Sequence, residues 1–448
     1  MRSDPSLDEL ARRIRDGLLS PVDFLNSCLE RIDALESRVQ AWVVIDREGA
    51  EAAARALHEE ARQGRVRGPL HGIPVGVKDI IHIRGLPTEA GSSILKGFRP
   101  EADATVVRRL REAGAILLGK TVTTEFACFD PAGTRNPWNL DHTPGGSSSG
   151  SAAAVACGMV PVALGTQTAG SIIRPAAYCG TVGFKPTFGR VSRDGVIPIS
   201  HTLDHIGLFA RSAADATFVA AALMGHDPAD PFSSRRQSGE DLLAPGRVVS
   251  GPRVGLVDSW FMEAADDSLR RATEDAAARI EKGGGRIVPV RLPESFNDVH
   301  QNHRRIMYVE AAAYHESSFR RRPEAFGPRL RSIIEEGLLQ PAVAYAEARR
   351  HQVVFKREMR AVFEDVDVLL MPGTPAPAPK GLASTGDPAF NVPWSYAGFP
   401  VIALPVGLAK GGLPVAVQLV GRPFADAELL AIARWCEGLF GFDAGPPF

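Results

Sequence analysis

Apolar positions recur at helical spacing through the first 64 residues, with charged residues between them. Two amphipathic helices are predicted within residues 6–36, and Ser20-Pro21 separates them because proline suits the first turn of a helix. An Ala- and Glu-rich stretch at 48–64 predicts a third helix. We therefore expect residues 1–64 to form N-terminal helices that precede the main core.

Beyond residue 65 the pattern changes to short apolar runs of strand length that alternate with amphipathic stretches. Runs of the same kind return after residue 365. Alternation of this type favours an α/β fold with a mixed, largely parallel central β-sheet covered by helices on both faces. We assign 65–225 and 365–448 to the core of a single domain that spans 1–448.

The part of the chain between these two core regions has a different pattern of residue types. Residues 226–250, rich in Asp, Ser and Pro, predict a long surface connection, and 255–363 predicts a helical, cap-like section. Such a section over a site would supply its pocket, and Trp260, Tyr308 and Tyr314 are its candidate aromatic lining. The alternative for each ring is a place in the core.

Composition and charge narrow the class of protein. The chain has 448 residues, of which 44% are hydrophobic and 23% charged, and its formal net charge is −1. These values are typical of a globular protein, and they give no reason to expect nucleic acid or an anionic membrane surface as a partner. There is no apolar run long enough for a spanning helix, and no secretion signal in the first 30 residues, so a cytoplasmic location is expected.

The metal-ligating residue types are scattered. The five cysteines form no CxxC pair, and the 11 histidines form no recognisable cluster, so no metal site is predicted. We expect the cysteines to be buried, reduced thiols that pack as small apolar side chains.

The most unusual segment is the Gly/Ser loop at 143–151, which reads TPGGSSSGS and leads into an Ala-rich helix. Glycines allow tight turns, and serines supply hydroxyl groups. A flexible linker does not fit, because apolar core segments flank the loop. A phosphate cradle in a nucleotide-binding protein is a weak alternative, because the Gly-Lys-Ser/Thr ending of a P-loop is absent.

Two further segments carry candidate chemistry. Ser171 follows a run of small residues within 165–175, GTQTAGSIIRP, where backbone N–H groups could converge as an oxyanion hole; the alternative is an ordinary turn between a strand and a helix. Lys78 ends the apolar run at 75–77, where burial would lower its pKa and let it act as a neutral base. The alternative for Lys78 is an ion pair with Asp79.

Taken in order, the three segments resemble the amidase signature family. The resemblance rests on GVKD at 76–79, GGSSSGSAAA at 145–154 and GTQTAGS at 165–171. It extends to flanking segments such as NPWN, GFKPT and GLPVAVQ, and it covers most of 5–225 and 365–440. The helical section between these regions is not distinctive.

The resemblance implies a serine hydrolase with an unusual triad and no cofactor. Ser171 would be the nucleophile, Lys78 the neutral base, and Ser147, which would follow a cis peptide bond, the proton relay. Ser148 would support the site by hydrogen bonding. Backbone N–H groups would form the oxyanion hole, supplied by Thr168, Ala169, Gly170 and Ser171.

The chain also departs from the family pattern around the site. Many relatives have Asp-Thr-Gly-Gly-Ser where this chain has Gln167-Thr168-Ala169-Gly170-Ser171, and Ile80 and Ser395 each stand where Asn is common. Arg174 stands three positions after the nucleophile rather than two. Its guanidinium either binds a substrate carboxylate or braces the loop.

The implied function is an amidase that hydrolyses the C–N bond of a small amide. One alternative is a carbamate (urethane) or ester hydrolase with the same triad. A second is a glutamine-dependent amidotransferase subunit that releases ammonia within a multi-subunit complex. The expected partner is a small-molecule substrate, and some relatives form homodimers.

Overall fold

The computed structural model describes residues 5–236, 242 and 249–448. The predicted surface connection therefore falls partly outside the described residues, at 237–241 and 243–248. The α-helices are α1 (Leu7–Arg15), α2 (Pro21–Val39), α3 (Arg47–Arg62), α4 (Thr105–Glu112), α5 (Ser149–Ala156), α6 (Ile173–Cys179), α7 (Ala213–Leu223), α8 (Trp260–Ala264), α9 (Asp267–Lys282), α10 (Val299–Arg321), α11 (Pro328–Leu338), α12 (Ala342–Val362), α13 (Val392–Ala397) and α14 (Asp426–Phe440). The strands are β1 (Trp42–Ile45), β2 (Pro74–Lys78), β3 (Ile116–Thr121), β4 (Val162–Gln167), β5 (Val182–Lys185), β6 (His205–Ala210), β7 (Arg253–Val257), β8 (Arg286–Val290), β9 (Val368–Pro372), β10 (Val401–Leu408) and β11 (Pro414–Gly421).

These strands form one 11-stranded sheet with the order β1-β3-β2-β4-β6-β5-β10-β11-β9-β7-β8. The parallel pairs lie in two groups, β3-β2-β4 and β9-β7-β8. The middle of the sheet, from β4 to β9, is antiparallel, as is the pairing of β1 with β3. Helices α5, α7, α9 and α14 pack against its strands. The α/β class predicted from the sequence is confirmed as a mixed sheet.

Local chemistry explains where α2 begins and why β2 and β4 are apolar in sequence. Helix α2 starts with Pro21 in its first turn, and the Ser20 side chain accepts a hydrogen bond from the Val22 N–H at 3.1 Å. Every residue of β2 and β4 is buried. Strands covered on both faces have no polar side to alternate with, which is why they appear in the sequence as continuous apolar runs.

The section at 255–363 is not wholly helical, contrary to the prediction. Strand β8 lies within it, and with β7 it extends the sheet beyond β9. Most residues of β8 are exposed or only half-buried, because β8 is an edge strand. Its short sequence, RIVPV, therefore lacks the clear apolar pattern of the central strands.

Two further findings concern the whole of the described chain. The five cysteines are free and buried, as expected. In the part of the chain that the structure describes, no helix is both long enough and apolar enough to cross a lipid bilayer. Residues 1–64 are not wholly helical either, because β1 lies within them and pairs with β3 of the core sheet. The division of the chain into a core, an N-terminal region and a cap-like section stays a prediction.

The candidate site lies where two neighbouring strands end. Strands β2 and β4 run parallel, with Val77 opposite Leu164, so Lys78 and Gln167 come at the carboxyl end of each strand. The Gly/Ser loop enters α5 beside them, since α5 packs against both strands. The carboxyl ends of parallel strands thus bring together segments that are far apart in the sequence.

Candidate active site

Lys78 is fully buried at the end of β2. Its Nζ lies 2.7 Å from Ser147 Oγ and 2.8 Å from Thr166 Oγ1. Burial lowers the pKa of the Lys78 amine well below its ordinary value, and the negative charge of Asp204 opposes this shift only in part. Lys78 does not pair with Asp79, whose carboxylate lies 3.0 Å from Lys120 Nζ.

The peptide bond between Gly146 and Ser147 is cis. The backbone carbonyl of Ser147 accepts a hydrogen bond from the Thr124 N–H at 3.2 Å. The hydroxyl of the next residue, Ser148, contacts both backbone polar groups of Thr166. It donates a hydrogen bond to the Thr166 carbonyl at 3.2 Å and accepts one from the Thr166 N–H at 3.3 Å. Ser148 therefore holds the threonine that contacts Lys78.

Ser171 lies in the turn between β4 and α6 and is almost completely buried. Within the described chain, no acceptor takes a hydrogen bond from the backbone N–H groups of Thr168, Ala169, Gly170 and Ser171. A side chain at Gly170 would place its Cβ 2.6 Å from Asn391 Oδ1, so this glycine is required by close packing. Four donors are thus available around the candidate nucleophile.

Ser147 and Ser171 line the same small cavity. Its volume is about 10 Å³, close to that of a single water site, and Phe129, Met307 and Arg174 also line it. A phosphate group would not fit there without movement of these side chains. The geometry therefore gives no support to a phosphate cradle at the Gly/Ser loop.

Two positions that depart from the family pattern contact each other. Gln167 Nε2 donates a hydrogen bond to Ser395 Oγ at 3.0 Å, and Gln167 Oε1 accepts from the N–H groups of Ile172 and Ile173 at 2.8 and 2.9 Å. Gln167 thus ties the start of α6 to α13. Ala169 does not need the freedom of glycine, since it is not among the described residues with positive φ.

Asp204 is a polar residue of the site that sequence reasoning missed. Its carboxylate accepts hydrogen bonds from the Thr168 hydroxyl and from the N–H groups of Ile199 and Ser200, the last two at 2.8 and 3.0 Å. Desolvation raises its pKa above the ordinary value, although these donors oppose the shift. Thr166 was missed as well. One feature of the sequence could have identified both residues, because each is polar and lies at a buried strand: Thr166 near the end of β4 and Asp204 directly before β6.

Arg174 points into the loops around the site. Its Nη1 donates to the Gly386 carbonyl at 2.8 Å, and its Nη2 donates to the Gly146 carbonyl at 2.6 Å and to Thr385 Oγ1 at 3.1 Å. Its Nε has no hydrogen-bond partner in the described part of the chain. Burial lowers the pKa of Arg174 to about 10. These contacts brace the loop and leave the Nε–H of the buried guanidinium without an acceptor in the described part of the chain.

The helical section reaches the site through one stripe of α10. His303, Met307, Glu310 and Tyr314 recur at helical spacing and share a face. Met307 lines the cavity of Ser171, and Glu310 accepts hydrogen bonds from Thr202 N–H at 3.0 Å and Thr202 Oγ1 at 2.7 Å.

A larger cleft of about 430 Å³ adjoins the small cavity, and both are lined by Thr168 and Ile199. Of the three aromatic residues proposed from the sequence, Tyr314 lines this cleft. Trp260 instead packs among aromatic side chains that include Phe261 and Phe390. Tyr308 lies under the guanidinium of Arg304. The interpretation of Trp260 and Tyr308 as pocket residues finds no support.

Comparison with known proteins places the chain in a family. The family model described as Amidase matches residues 23–430. A protein of Chloroflexus aggregans, named as one of the subunits of glutamyl-tRNA(Gln) amidotransferase, is 38% identical over 455 residues, which cover 93% of this chain and 92% of that protein.

Among the described residues, no group of three or more His, Cys, Asp and Glu side chains is placed to hold a metal ion.

Similarity to solved structures supports the same family assignment. The peptide amidase of Stenotrophomonas maltophilia is 31% identical, with a TM-score of 0.86 and coverage of 100% of this chain and 99% of that one. A chain from a vestigial complex linked to the origins of an s-triazine catabolic enzyme is 33% identical, with a TM-score of 0.89 and 98% of both chains covered. The fold is that of enzymes that act on carbon–nitrogen bonds. The chain belongs to the amidase signature family.

Proposed function

We propose that this protein hydrolyses the C–N bond of a small amide through an acyl-enzyme on Ser171. The observation that carries the proposal is the buried contact of 2.7 Å between Lys78 Nζ and Ser147 Oγ, because Ser147 in turn lines a cavity together with Ser171. A serine hydroxyl is a weak nucleophile until a base removes its proton. A lysine with a lowered pKa is such a base.

The proton moves in two linked transfers. The neutral amine of Lys78 accepts the hydroxyl proton of Ser147, and Ser147 Oγ accepts the proton of Ser171 as Ser171 Oγ bonds to the substrate carbonyl carbon. The tetrahedral intermediate collapses when the C–N bond breaks: the Ser147 hydroxyl gives its proton to the leaving nitrogen, and Lys78 returns a proton to Ser147 Oγ. Water then hydrolyses the ester by the reverse route.

The free backbone donors stabilise the charge that develops on the substrate oxygen. The N–H groups of residues 168–171 have no acceptor within the described chain, and they belong to the nucleophile and the three residues before it. Loss of a single donor of this kind costs about 3–4 kcal/mol of transition-state stabilisation. This contribution needs no cofactor.

The lining of the site indicates the substrate class. The cavity beside Ser171 has room for about one water, so an acyl group enters only if lining side chains such as Phe129 and Met307 move, and Arg174, which also lines the cavity, carries a buried positive charge and an Nε–H without an acceptor. A carboxylate on the acyl side of the amide would pair with that charge. The larger cleft beyond Thr168 and Ile199 is the space available for leaving groups.

A second candidate is the same chemistry within a glutamine-dependent amidotransferase. The names of the relatives favour this candidate over simple amide hydrolysis, since the protein of Chloroflexus aggregans is named as part of an amidotransferase and is 38% identical over nearly the whole chain. Glutamine is itself an amide that bears a carboxylate, so the two candidates share the chemistry at Ser171. They differ in whether the released ammonia is passed to partner chains.

The carbamate and ester alternatives draw no support from the relatives named above: two of the names describe amide chemistry, and the third names neither a carbamate nor an ester. They remain chemically accessible to the same triad. A direct comparison of bond types therefore belongs in the first experiment.

The experiment measures product release by wild type and Ser171→Ala from L-glutamine, succinamic acid and succinamide, together with an aryl amide, carbamate and ester that share one acyl group. We expect ammonia release by the isolated wild type that Ser171→Ala abolishes and that increases as pH increases. Activity that Ser171→Ala retains would refute the proposal. If only glutamine is cleaved, and only with partner chains present, the amidotransferase candidate is correct.

A further inference from the structure

Two carbonyl groups of the nucleophile turn accept hydrogen bonds from side chains that are distant in the sequence. Ser395 Oγ on α13 donates to the carbonyl of Ala169 at 2.7 Å. His303 Nε2 on α10 contacts the carbonyl of Thr168 at 3.0 Å. Because a carbonyl can only accept, this ring nitrogen of His303 carries the proton. Both side chains are buried.

The direction of the hydrogen bonds to Ser395 is fixed by its neighbours. Gln167 Oε1 accepts from two backbone N–H groups, so the other end of the amide, Nε2, is the donor to Ser395 Oγ. Ser395 therefore accepts from Gln167 and directs its own proton to the Ala169 carbonyl. This chain of hydrogen bonds has one orientation only.

Each of these carbonyls belongs to a peptide group whose N–H lies on the candidate oxyanion hole. The Thr168 carbonyl shares its peptide with the Ala169 N–H, and the Ala169 carbonyl shares its peptide with the Gly170 N–H. A hydrogen bond accepted by a carbonyl polarises the peptide and strengthens the N–H as a donor. It also fixes the plane of the peptide, and with it the direction of the N–H.

We propose that His303 and Ser395 are positioning residues that hold and polarise the two central peptides of the oxyanion hole. The inference rests on the proposed function and deepens it, since neither side chain touches the substrate. It gives α10 and α13 a role in the rate of the reaction. It also explains why Gln167 and Ser395 meet, because the donor to Ala169 needs a partner that sets its orientation.

The test uses a fluorophosphonate, which reports on Ser171 without knowledge of the natural substrate. Phosphonylation forms the P–O bond at Ser171 Oγ, releases fluoride and places the phosphonyl oxygen in the oxyanion hole. Rates are measured by intact mass for wild type, Ser395→Ala and His303→Phe over a range of pH. We expect each variant to be labelled roughly tenfold more slowly, a fraction of the loss seen when a whole donor is removed. The pH midpoint should not change, because Lys78 is untouched.

Two controls separate this role from general damage to the fold. Ser395→Thr keeps the hydroxyl and should restore most of the rate. Ser151→Ala removes another buried serine that donates to a carbonyl of the β4 region, that of Leu164 at 2.8 Å, and should leave the rate unchanged. Thermal unfolding of every variant checks that it is folded.

The outcomes distinguish the inference from the proposed function. If wild type is not labelled, or Ser171→Ala is labelled equally, the proposed function fails. If wild type is labelled at Ser171 and both variants react at the wild-type rate, the inference about His303 and Ser395 is overturned. The inference is also overturned if Ser151→Ala is labelled as slowly as the Ser395 and His303 variants. A shift of the pH midpoint of labelling in those two variants overturns it as well.

Discussion

Thr166 Oγ1 lies 2.8 Å from Lys78 Nζ, so a threonine at the end of β4 shares the buried amine with Ser147. A neutral amine has two N–H groups and one lone pair. If one N–H donates to Thr166, the amine cannot rotate freely, and its lone pair is held toward Ser147. Ser148 fixes Thr166 in turn through both backbone groups. The base of the proposed mechanism is thus oriented by residues that do not react.

Thr166→Val should therefore slow the reaction without weakening substrate binding. Valine has the shape of threonine but cannot accept the hydrogen bond, and loss of one such bond corresponds to a rate about tenfold lower. Steady-state kinetics should show the loss in kcat, with KM unchanged. Thr166→Ser is the control, because it retains the hydroxyl. A wild-type kcat in the valine variant would contradict the orienting role.

Lys78→Met should abolish activity and change how stability depends on pH. In the unfolded chain Lys78 is protonated below its ordinary pKa of 10.5, whereas burial lowers its pKa well below that value in the folded protein. Between that lowered pKa and 10.5 the unfolded state therefore binds more protons, and wild type gains stability relative to the variant as pH rises, by up to about 1.4 kcal/mol per pH unit. Denaturant unfolding of both proteins at pH 7 and pH 9 measures this difference. Equal slopes would show that Lys78 is charged in the folded state.

The sequence was sufficient for those parts of the site that follow from local pattern. Lys78 ends a short buried apolar run, and Ser171 follows small residues at the end of another, so both could be located without a structure. The β2 and β4 strands gave clear signals because they are buried on both faces. Resemblance to a family then assigned expected roles to these residues.

The contacts that support the site could not be predicted, because they join distant positions. Gln167 and Ser395 are 228 residues apart in the chain, and in the sequence each stands out only as a departure from the family pattern. In α10 the buried residues include both polar and apolar types, such as His303, Met307 and Glu310, so hydrophobic periodicity does not mark the face that meets the site. Only the packing of α10 against the nucleophile turn reveals it.

His303 should make the protein sensitive to mild acid. Burial lowers its pKa from 6.5 to about 4, so below pH 6.5 the unfolded state gains a proton that the folded state does not. Stability is therefore fully present above pH 6.5 and decreases as pH falls toward 4. The expected loss from this group between pH 6.5 and pH 5 is about 2 kcal/mol.

His303→Phe should reduce this dependence on pH. Other buried groups, including His315, also titrate in this range, and they contribute equally to both proteins. Denaturant unfolding at pH 7 and pH 5 should show a smaller loss in the variant by about 2 kcal/mol. If the two proteins lose stability in parallel, His303 is not held neutral by burial.

Arg174→Met should separate the two interpretations of the buried guanidinium. In the described part of the chain no carboxylate forms a salt bridge with Arg174, and its partners are two carbonyls and one hydroxyl. A substrate carboxylate in the adjoining cavity would supply the missing negative charge. Charge-assisted hydrogen bonds of this kind contribute about 1.5–3 kcal/mol, which corresponds to a change of at least tenfold in affinity.

The measurement compares succinamic acid, which has a carboxylate, with succinamide, which does not. If Arg174 binds substrate, the variant should show a KM at least about tenfold higher for the acid and an unchanged KM for the diamide. The kcat should fall for both, because the Gly146 carbonyl beside Ser147 loses its donor. An equal effect on the two substrates would mean that Arg174 only braces the loop, and the substrate class would then have to be sought in the larger cleft.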